Sequence, residues 1–309
     1  MASSSLSFSN PKDLKFVITL GIGNPNNFAS GGVQYNTITL QGLKASVYID
    51  NAGGFNLGTL RAQIFGVNQQ DMNALTSTQW SFLAGELPNT IQVWAIDGTQ
   101  ETLVFNGIYL NGWGVYTTMP SVYMYIEGMV GYAQQMISAD PTSLSADTTV
   151  SALMSNLALQ MGLQFVNNLT TEIAVKKGTY LGNTYMEQAR TLMQMFNFWM
   201  YVDPTTNPAT LAICNNGTPR SNVAPVISPQ TGLIGYPLFN GTGILFESYF
   251  NPAILFGGSV SVQSSVPKAN GSFIVTSLSH ELSSVTPGGP WKTSANAVNP
   301  ALFGGLAIP

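Results

Sequence analysis

The sequence predicts a mainly β protein in which a small α+β segment separates two antiparallel β regions. Short runs of β-branched and aromatic residues, divided by Gly, Asn and Pro, fill residues 15–128 and return over residues 245–298. Between them, in residues 140–222, apolar residues recur at the spacing of amphipathic helices and are followed by a hairpin pattern. The order of these three sequence patterns along the chain predicts the architecture.

The first β region is predicted from the alternation of apolar and polar residues. Leu60, Ala62 and Ile64 fall on one face of a strand, and the residues between them fall on the other. Residues 68–76 are polar and are expected to hold a short helical turn, whereas residues 1–14 are expected to be loose or extended. Strands this closely spaced favour a compact antiparallel barrel or sandwich. The predicted strands are residues 15–20, 33–40, 43–49, 60–67, 91–97, 101–110 and 121–128.

The middle segment is predicted to contain two helices and a β-hairpin. Residues 147–149 offer N-cap candidates for the first helix, and Gly162 is a suitable stop. Thr184 and Glu187 have the spacing of a capping box at the start of the second helix. The hairpin is expected within residues 198–214. The apolar stripes, which we interpret as core packing, are Val150, Leu153, Leu157 and Met161, then Met186, Ala189, Leu192, Met193 and Phe196.

The second β region is predicted from four further strand-like runs with Gly- and Pro-rich turns between them. Residues 299–309 show no periodicity and are expected to be exposed or to dock a neighbouring subunit. The predicted strands are residues 245–250, 259–264, 272–279 and 291–298. The predicted domains are residues 1–139, 140–222 and 223–309.

Charged residues are unusually rare in this chain. They make up 8% of the sequence, against about 25% in a typical soluble protein. Few charges leave a monomer with weak protection against association, whereas the cores of interfaces are normally depleted in charge. Composition therefore favours an assembly subunit over a monomer from an unusual proteome. The net charge of −4, without a basic stripe, also disfavours tight binding to duplex nucleic acid.

The sequence offers no constellation for catalysis or metal binding. His280 is the only histidine and Cys214 the only cysteine, which excludes a multi-histidine metal site and an internal disulfide. We interpret His280 as a hydrogen-bonded residue at a strand rim and Cys214 as a buried strand residue. Scattered carboxylates leave a glycosidase pair open without singling one out: Asp50, Asp97, Glu101, Glu127, Glu187, Glu247 and Glu281. We therefore predict that the protein is not an enzyme and has no catalytic residue, cofactor or metal.

An aromatic segment leaves a binding function open. Its residues suggest either a sugar-binding surface or ordinary sheet packing, because aromatic residues also favour strands. A glycan array, with Trp113→Ala as the test variant, would separate these alternatives. The aromatic residues are Tyr109, Trp113, Tyr116, Tyr123 and Tyr125. No run of about 18 apolar residues predicts a membrane-spanning helix, and the first residues do not resemble a signal peptide.

The ordered set of segments resembles the baseplate hub proteins of bacteriophage tails. No single segment is specific, but together the segments cover residues 16–298 in the family's order. The segments are residues 42–47 (GLKASV), 58–68 (GTLRAQIFGVN), 69–76, 90–98 (TIQVWAIDG) and 103–108 (LVFNGI); the helical 145–163 and 184–202; and 227–236 (ISPQTGLIGY), 246–262, 271–281 (GSFIVTSLSHE) and 288–298.

The resemblance implies two tail-tube-like antiparallel β-barrel domains with a small α+β domain between them. It implies a structural homotrimer that adapts the hexameric tail tube to a three-fold central spike and forms part of the DNA ejection channel. The implied partners are the tail tube protein, the spike, other baseplate or wedge proteins and the tape-measure protein, with transient passage of DNA. The implied location is the virion, in a contractile tail, after assembly in the host bacterial cytoplasm. The family supplies no catalytic residue to carry over.

Three alternatives to this hypothesis remain at the level of sequence. The alternatives are a hub of a phage-derived contractile injection device, a carbohydrate-binding tail adhesin and a cell-wall hydrolase. Neighbouring genes would identify an injection device, a glycan array an adhesin, and zymography on peptidoglycan a hydrolase.

Overall fold

The protein is mainly β with few helices, as the sequence predicts. The structure, a computed structural model, describes residues 11–21, 28–30, 33–51, 57–76, 88–136, 138–220 and 223–300. The strands are β1 (Lys12–Thr19), β2 (Phe28–Ser30), β3 (Val33–Tyr35), β4 (Thr37–Leu40), β5 (Ala45–Asn51), β6 (Thr59–Phe65), β7 (Thr90–Asp97), β8 (Gln100–Val115), β9 (Tyr123–Met129), β10 (Thr142–Ser143), β11 (Thr148–Thr149), β12 (Gln164–Asn168), β13 (Ala174–Val175), β14 (Tyr180–Leu181), β15 (Phe198–Asp203), β16 (Thr210–Asn215), β17 (Val226–Ile227), β18 (Leu233–Phe239), β19 (Gly243–Tyr249), β20 (Ser259–Val262), β21 (Gly271–Ser284) and β22 (Trp291–Val298). The α-helices are α1 (Gln69–Leu75), α2 (Tyr132–Met136), α3 (Val150–Gln160) and α4 (Tyr185–Phe196), and residues Pro267–Ala269 form a 3₁₀ turn.

One long antiparallel sheet joins the two β regions. Its strand order is β18-β19-β22-β21-β5-β6-β9-β8-β7-β1-β4, and β20, with β17 beside it, pairs with the other half of β21. The connection is the pairing of β5 with β21, which runs from Ala45 opposite Ser284 to Asn51 opposite Leu278. The two β regions therefore share a sheet, a feature that the sequence analysis does not predict.

The alternation predicted for the first β region is confirmed. Leu60, Ala62 and Ile64 of β6 are buried, as are Val47 and Ile49 of the neighbouring β5. These side chains join a core that β1, β7, β8 and β9 complete. The same core includes Leu282 from β21 and Phe250 from the end of β19, so the second β region contributes side chains to the first core.

The two predicted helices of the middle segment pack against the predicted hairpin. Their buried side chains form a separate core with β15 and β16, which confirms the interpretation of the Met-rich stripe. Thr149 Oγ1 accepts a hydrogen bond from Ala152 N at 3.2 Å, and Thr184 Oγ1 accepts one from Glu187 N at the same distance. Both helices thus begin at predicted cap positions.

The second β region has its own core between β18–β22 and the loop that leads to β20. Its buried residues include Phe246, Val260, Phe273 and Ala295. Tyr201 from the middle segment packs edge to face on Phe256, with ring centroids 4.9 Å apart. The middle segment is therefore in direct contact with the second β region.

Several predicted boundaries are wrong. Strand β1 begins at Lys12 instead of the predicted residue 15, because its whole length pairs with β7. Strand β8 continues past residue 110 to Val115 because it pairs first with β7 and then with β9. Strand β21 continues past residue 279 to Ser284 because β5 pairs with its second half. These strand ends depend on partner strands that are distant in sequence, and local sequence patterns do not indicate which strands will pair. The expectations for residues 1–10 and 301–309 lie outside the described residues.

Candidate interaction surface

The long sheet turns one face away from the cores, and this free face carries a row of polar and aromatic side chains. Cross-strand pairing places the members of the row next to each other across both β regions. In order from β19 to β8, the row is Tyr249, Lys292, Glu281, Tyr48, Arg61, Glu127 and Asn111. The row therefore runs across seven strands of the shared sheet.

The lysine of this row lies between two carboxylates. Lys292 Nζ is 3.3 Å from Glu247 Oε1 and 3.5 Å from Glu281 Oε2. Ser294 Oγ also donates to Glu247 Oε1, at 3.2 Å. The hydrogen bond that Lys292 Nζ donates to Glu247 and the charges of both carboxylates raise the pKa of Lys292. The positive charge of Lys292 is therefore offset within the face.

The arginine of the row also has carboxylates beside it. Glu127 lies opposite Arg61 in the next strand and is held by Tyr125 Oη at 3.0 Å and Asn111 Nδ2 at 3.1 Å. Burial raises the pKa of Asp50, and the nearby Arg61 charge opposes that rise. Both cations of the row thus face acidic neighbours, which leaves little net positive potential for a polyanion.

The aromatic segment predicted from the sequence does not form one surface. Tyr109 is buried on the opposite face, where its hydroxyl donates to Leu75 O at 2.5 Å and burial raises its pKa. Trp113 and Tyr125 stack with ring centroids 4.8 Å apart. Tyr123 packs instead on Phe65, with ring centroids 5.2 Å apart. For Tyr109, core packing is the correct interpretation, whereas Trp113 stays exposed on the free face.

His280 does not lie at a strand rim, and that prediction is wrong. It lies within β21 and is only 3% exposed. Its Nδ1 is 2.9 Å from Thr293 Oγ1, and its ring packs edge to face on Phe250. Burial lowers the pKa of His280 to about 4. The pairing of β21 with β5 buries this residue, and the sequence alone does not reveal that pairing.

The other polar residues singled out from the sequence have structural partners. Cys214 is buried as predicted, with its Sγ 3.5 Å from Tyr201 Oη, and burial raises its pKa. The scattered carboxylates are spread over the molecule in ion pairs such as Asp97 with Lys12, Glu101 with Lys15 and Glu187 with Arg190. Within the described residues, no group of three His, Cys, Asp or Glu side chains is arranged to hold a metal ion.

A cavity of about 280 Å³ lies where the three cores meet. Its lining includes Asn51 from the first β region, Asp203 from the middle segment, and Phe250, Leu278 and His280 from the second. The Oδ1 atom of Asn51 is buried without a hydrogen-bond partner. No local sequence pattern indicates this cavity, because its walls come from distant parts of the chain.

A buried ion pair stands beside this junction. Asp203 binds the guanidinium of Arg220, and Asp203 Oδ1 accepts hydrogen bonds from Thr205 N at 2.9 Å and Thr205 Oγ1 at 2.6 Å. Burial alone would raise the pKa of Asp203, but the Arg220 charge and these hydrogen bonds together lower it. Arg220 N also donates to Gly257 O at 2.8 Å. The pair therefore ties the hairpin of the middle segment to the second β region.

Comparison with known proteins identifies the family. A family model described as baseplate hub gp41 matches residues 36–287, which is most of the chain. The chain belongs to the baseplate hub gp41 family. This confirms the resemblance drawn from the ordered segments, and membership implies a structural component of a phage tail. No curated protein sequence matches the chain.

Solved tail proteins share the fold of this hub family member. A tail protein from Neisseria meningitidis MC58 superposes with a TM-score of 0.61 at 11% identity, over 96% of this chain and 99% of that one. The 43 kDa tail protein of prophage MuSo2 from Shewanella oneidensis gives 0.57 at 11% identity, over 94% and 98%. The E. coli c3393 protein, a component of the type VI secretion system that is similar to the T4 tail proteins gp27 and gp5, gives 0.56 at 10% identity, over 82% and 73%.

The described residues include no helix that is long and apolar enough to cross a bilayer.

Proposed function

We propose that this protein is the structural hub of a phage baseplate, a homotrimer that joins the hexameric tail tube to a three-fold central spike. The observation that carries the proposal is the pairing of β5 with β21, which unites two β regions of one chain in one sheet. Three such chains would offer six β regions to a six-fold tube, and a closed ring of this kind uses head-to-tail contacts. Membership of the baseplate hub family supports this assignment.

Each chain of this trimer would consist of three units. Residues 1–139 and 223–309 would be the tube-like β units, and residues 140–222 the α+β unit between them. The three largest apolar cores of the described residues support this division, although Phe250 and Leu282 also pack in the first core. Those shared side chains would keep the two β units at a fixed orientation, which a symmetric ring requires.

The hub would form part of the channel through which DNA leaves the virion. A polyanion should slide rather than bind there, because each uncompensated cation that contacts a phosphate strengthens binding. The ion pairs of Lys292, the position of Arg61 opposite Glu127 on the free face and the net charge of −4 support weak and transient contact with DNA.

The remaining surface would serve contacts with other tail proteins. The tail tube protein would bind above, the spike below, and wedge and tape-measure proteins around or within the ring of a contractile tail. A charged fraction of 8% supports large buried contacts, since interface cores are depleted in charge. Assembly would occur in the host cytoplasm, and the protein would have no catalytic activity of its own.

Native mass measurement and electron microscopy test this proposal. The chain alone, or mixed with tube and spike proteins, should form particles of three copies with ring-shaped three-fold images. The control is the same chain with Glu187→Gln, a change that removes an ion pair on α4 away from the long sheet. A stable monomer that joins neither protein would refute the proposal.

A hub in a phage-derived injection device is the second candidate. The similarity to a type VI secretion component over 82% of this chain favours it. Mass spectrometry of particles from the source cells separates the two functions. Co-purification with capsid proteins supports the phage, and capsid-free contractile particles support the injection device.

A further inference from the structure

The free face of the long sheet carries an exposed tryptophan beside a tyrosine. Trp113 of β8 is 42% exposed. It lies opposite Tyr125 of β9, with ring centroids 4.8 Å apart and ring planes tilted by 45°. The burial of such a large ring against a ligand is favourable, because aromatic side chains carry much apolar area. The pair therefore presents an apolar ring to solvent.

Fixed polar groups lie directly beside this ring pair. Asn111 and Glu127 are opposite each other on the same two strands, two residues from Trp113 and Tyr125. Tyr125 Oη donates to Glu127 Oε1 at 3.0 Å, and Asn111 Nδ2 donates to Glu127 Oε2 at 3.1 Å. A carboxylate has about four acceptor sites in all. Glu127 is thus held in place and can accept further hydrogen bonds from a ligand.

An arginine and a second exposed aromatic ring continue this surface. Arg61 of β6 is exposed and lies opposite Glu127, and Tyr48 of β5, which is 43% exposed, lies opposite Arg61. At about 4.8 Å between neighbouring strands, the surface from β8 to β5 spans roughly 14 Å. The polar groups therefore lie between aromatic rings at both ends. We call this surface the aromatic platform; it consists of Trp113, Tyr125, Asn111, Glu127, Arg61 and Tyr48.

The charges of the aromatic platform disfavour an ionic ligand. A polyanion such as a nucleic acid would meet the carboxylate of Glu127, and a cation would meet the guanidinium of Arg61. The guanidinium supplies only donors, whereas the carboxylate supplies only acceptors. A neutral ligand whose groups both donate and accept hydrogen bonds satisfies the two side chains together.

The backbone below the platform also disfavours an extended peptide. Strands β5, β6 and β9 are each hydrogen-bonded to a neighbouring strand on both sides. A peptide therefore cannot join any of these three as an added strand. A sugar needs no strand edge, because the C–H face of its ring packs on an aromatic ring while its hydroxyl groups donate and accept. Aromatic rings with a few fixed polar groups are typical of small-ligand sites.

We propose that the aromatic platform binds a neutral saccharide. The sugar ring stacks on Trp113, and its hydroxyl groups donate to Glu127 and accept from Arg61. Tyr48 contacts a second ring of a longer glycan. This binding is a property of the single chain and does not rest on the trimer or on the hub assignment.

A binding assay with neutral glycans tests this proposal. The intact protein is applied to an array of neutral oligosaccharides built from hexoses and N-acetylhexosamines, and the strongest binder is titrated in a calorimeter. Trp113→Ala should weaken binding by at least about tenfold, whereas Trp113→Phe, which keeps a ring, should retain most of it. The matched control is Tyr180→Ala, because Tyr180 is 63% exposed but lies in the middle segment. This control should bind like the wild type.

A second variant tests the site without touching the ring pair. Arg61→Met changes an exposed side chain, so the fold should persist even if Trp113→Ala unfolds, and glycan binding should weaken several-fold. Failure of the wild type to bind any glycan on the array overturns the proposal. Binding that both Trp113→Ala and Arg61→Met leave unchanged also overturns it.

A salt titration separates a sugar from a nucleic acid. Binding of a neutral saccharide should change little with salt, whereas binding of a single-stranded oligonucleotide weakens steeply as salt is added. An oligonucleotide that binds through Trp113 and displaces the glycan would identify nucleic acid as the ligand and overturn the proposal. Native mass measured on the same variants reports separately on the trimer, so failure of one proposal does not imply failure of the other.

Discussion

The Nδ1 atom of His280 lies 2.9 Å from Thr293 Oγ1 on the adjacent strand, inside the sheet that joins the two β regions. Its register partner in β5 is Ile49, so the imidazole lies where the two regions meet. Glu281 and Asp50 are the carboxylates that directly follow His280 and its partner Ile49 in sequence. Because successive side chains of a strand point to opposite faces, both lie on the free face with the polar row. Asp203 lines the same cavity as His280. Burial is nevertheless the cause that lowers the pKa of His280 to about 4.

This burial predicts a loss of stability in mild acid. The unfolded chain binds a proton at the ordinary histidine pKa of about 6.5, whereas the folded chain does so only near pH 4. The free energy of unfolding should therefore fall as the pH falls from about 6.5 to about 4, by up to roughly 3 kcal/mol from this residue. Urea unfolding at several pH values measures the effect.

His280→Gln keeps a polar side chain without a proton to gain and is the matched control. The difference in stability between wild type and variant should narrow steadily as the pH drops through this window. Parallel profiles would contradict the prediction.

The buried ion pair of Asp203 and Arg220 is predicted to stabilise the junction. Asp203→Asn keeps the acceptor for Thr205 but leaves Arg220 without its charge partner, which should lower the free energy of unfolding by roughly 3 kcal/mol. Asp147→Asn removes the partner of Lys176 in an exposed ion pair and should change stability hardly at all. Equal effects of the two substitutions in chemical denaturation would exclude a special role for the buried pair.

Substitutions of two glycines distinguish the cost of backbone strain from the cost of a steric clash. Gly257 and Gly288 both have a left-handed backbone, with φ of 72° and 69°. A Cβ at Gly257 would lie 2.5 Å from Tyr201 Cζ, whereas one at Gly288 would have open space. Gly288→Ala should therefore cost about 1 kcal/mol, and Gly257→Ala clearly more, because the Tyr201 ring must move. Thermal unfolding of both variants measures the difference, and identical shifts would show that Tyr201 yields freely.

The free face is predicted to gain DNA affinity when its lysine is released. Glu247→Gln with Glu281→Gln removes both carboxylates beside Lys292. Binding to duplex DNA at low salt should strengthen several-fold, with a salt slope steeper by about 0.9 for each cation that contacts a phosphate. Asp147→Asn with Glu187→Gln raises the net charge equally but away from this face. If both double variants bind DNA equally in a fluorescence assay, net charge rather than Lys292 is responsible.

The sequence was most informative where structure is local. The caps at Thr149 and Thr184 and the alternation along β6 are confirmed, because neighbouring residues determine both. The prediction for His280 was wrong because its burial depends on β5, more than 200 residues earlier in the chain. The aromatic residues predicted as one segment lie on two faces of the sheet for a similar reason. The register shift between Tyr109 and Asn111 turns Tyr109 to the core.

By itself, the sequence determined the class of the protein: mainly β, poor in charge, and with segments in the order of the baseplate hub family. Periodicity and composition carry that information, because they record which side chains avoid water along each element. Only the tertiary structure decided that β5 and β21 share a sheet, that Lys292 lies between Glu247 and Glu281, and that Arg61 lies opposite Glu127. These features arise from pairing between distant strands, and no local pattern specifies which strand will be the partner.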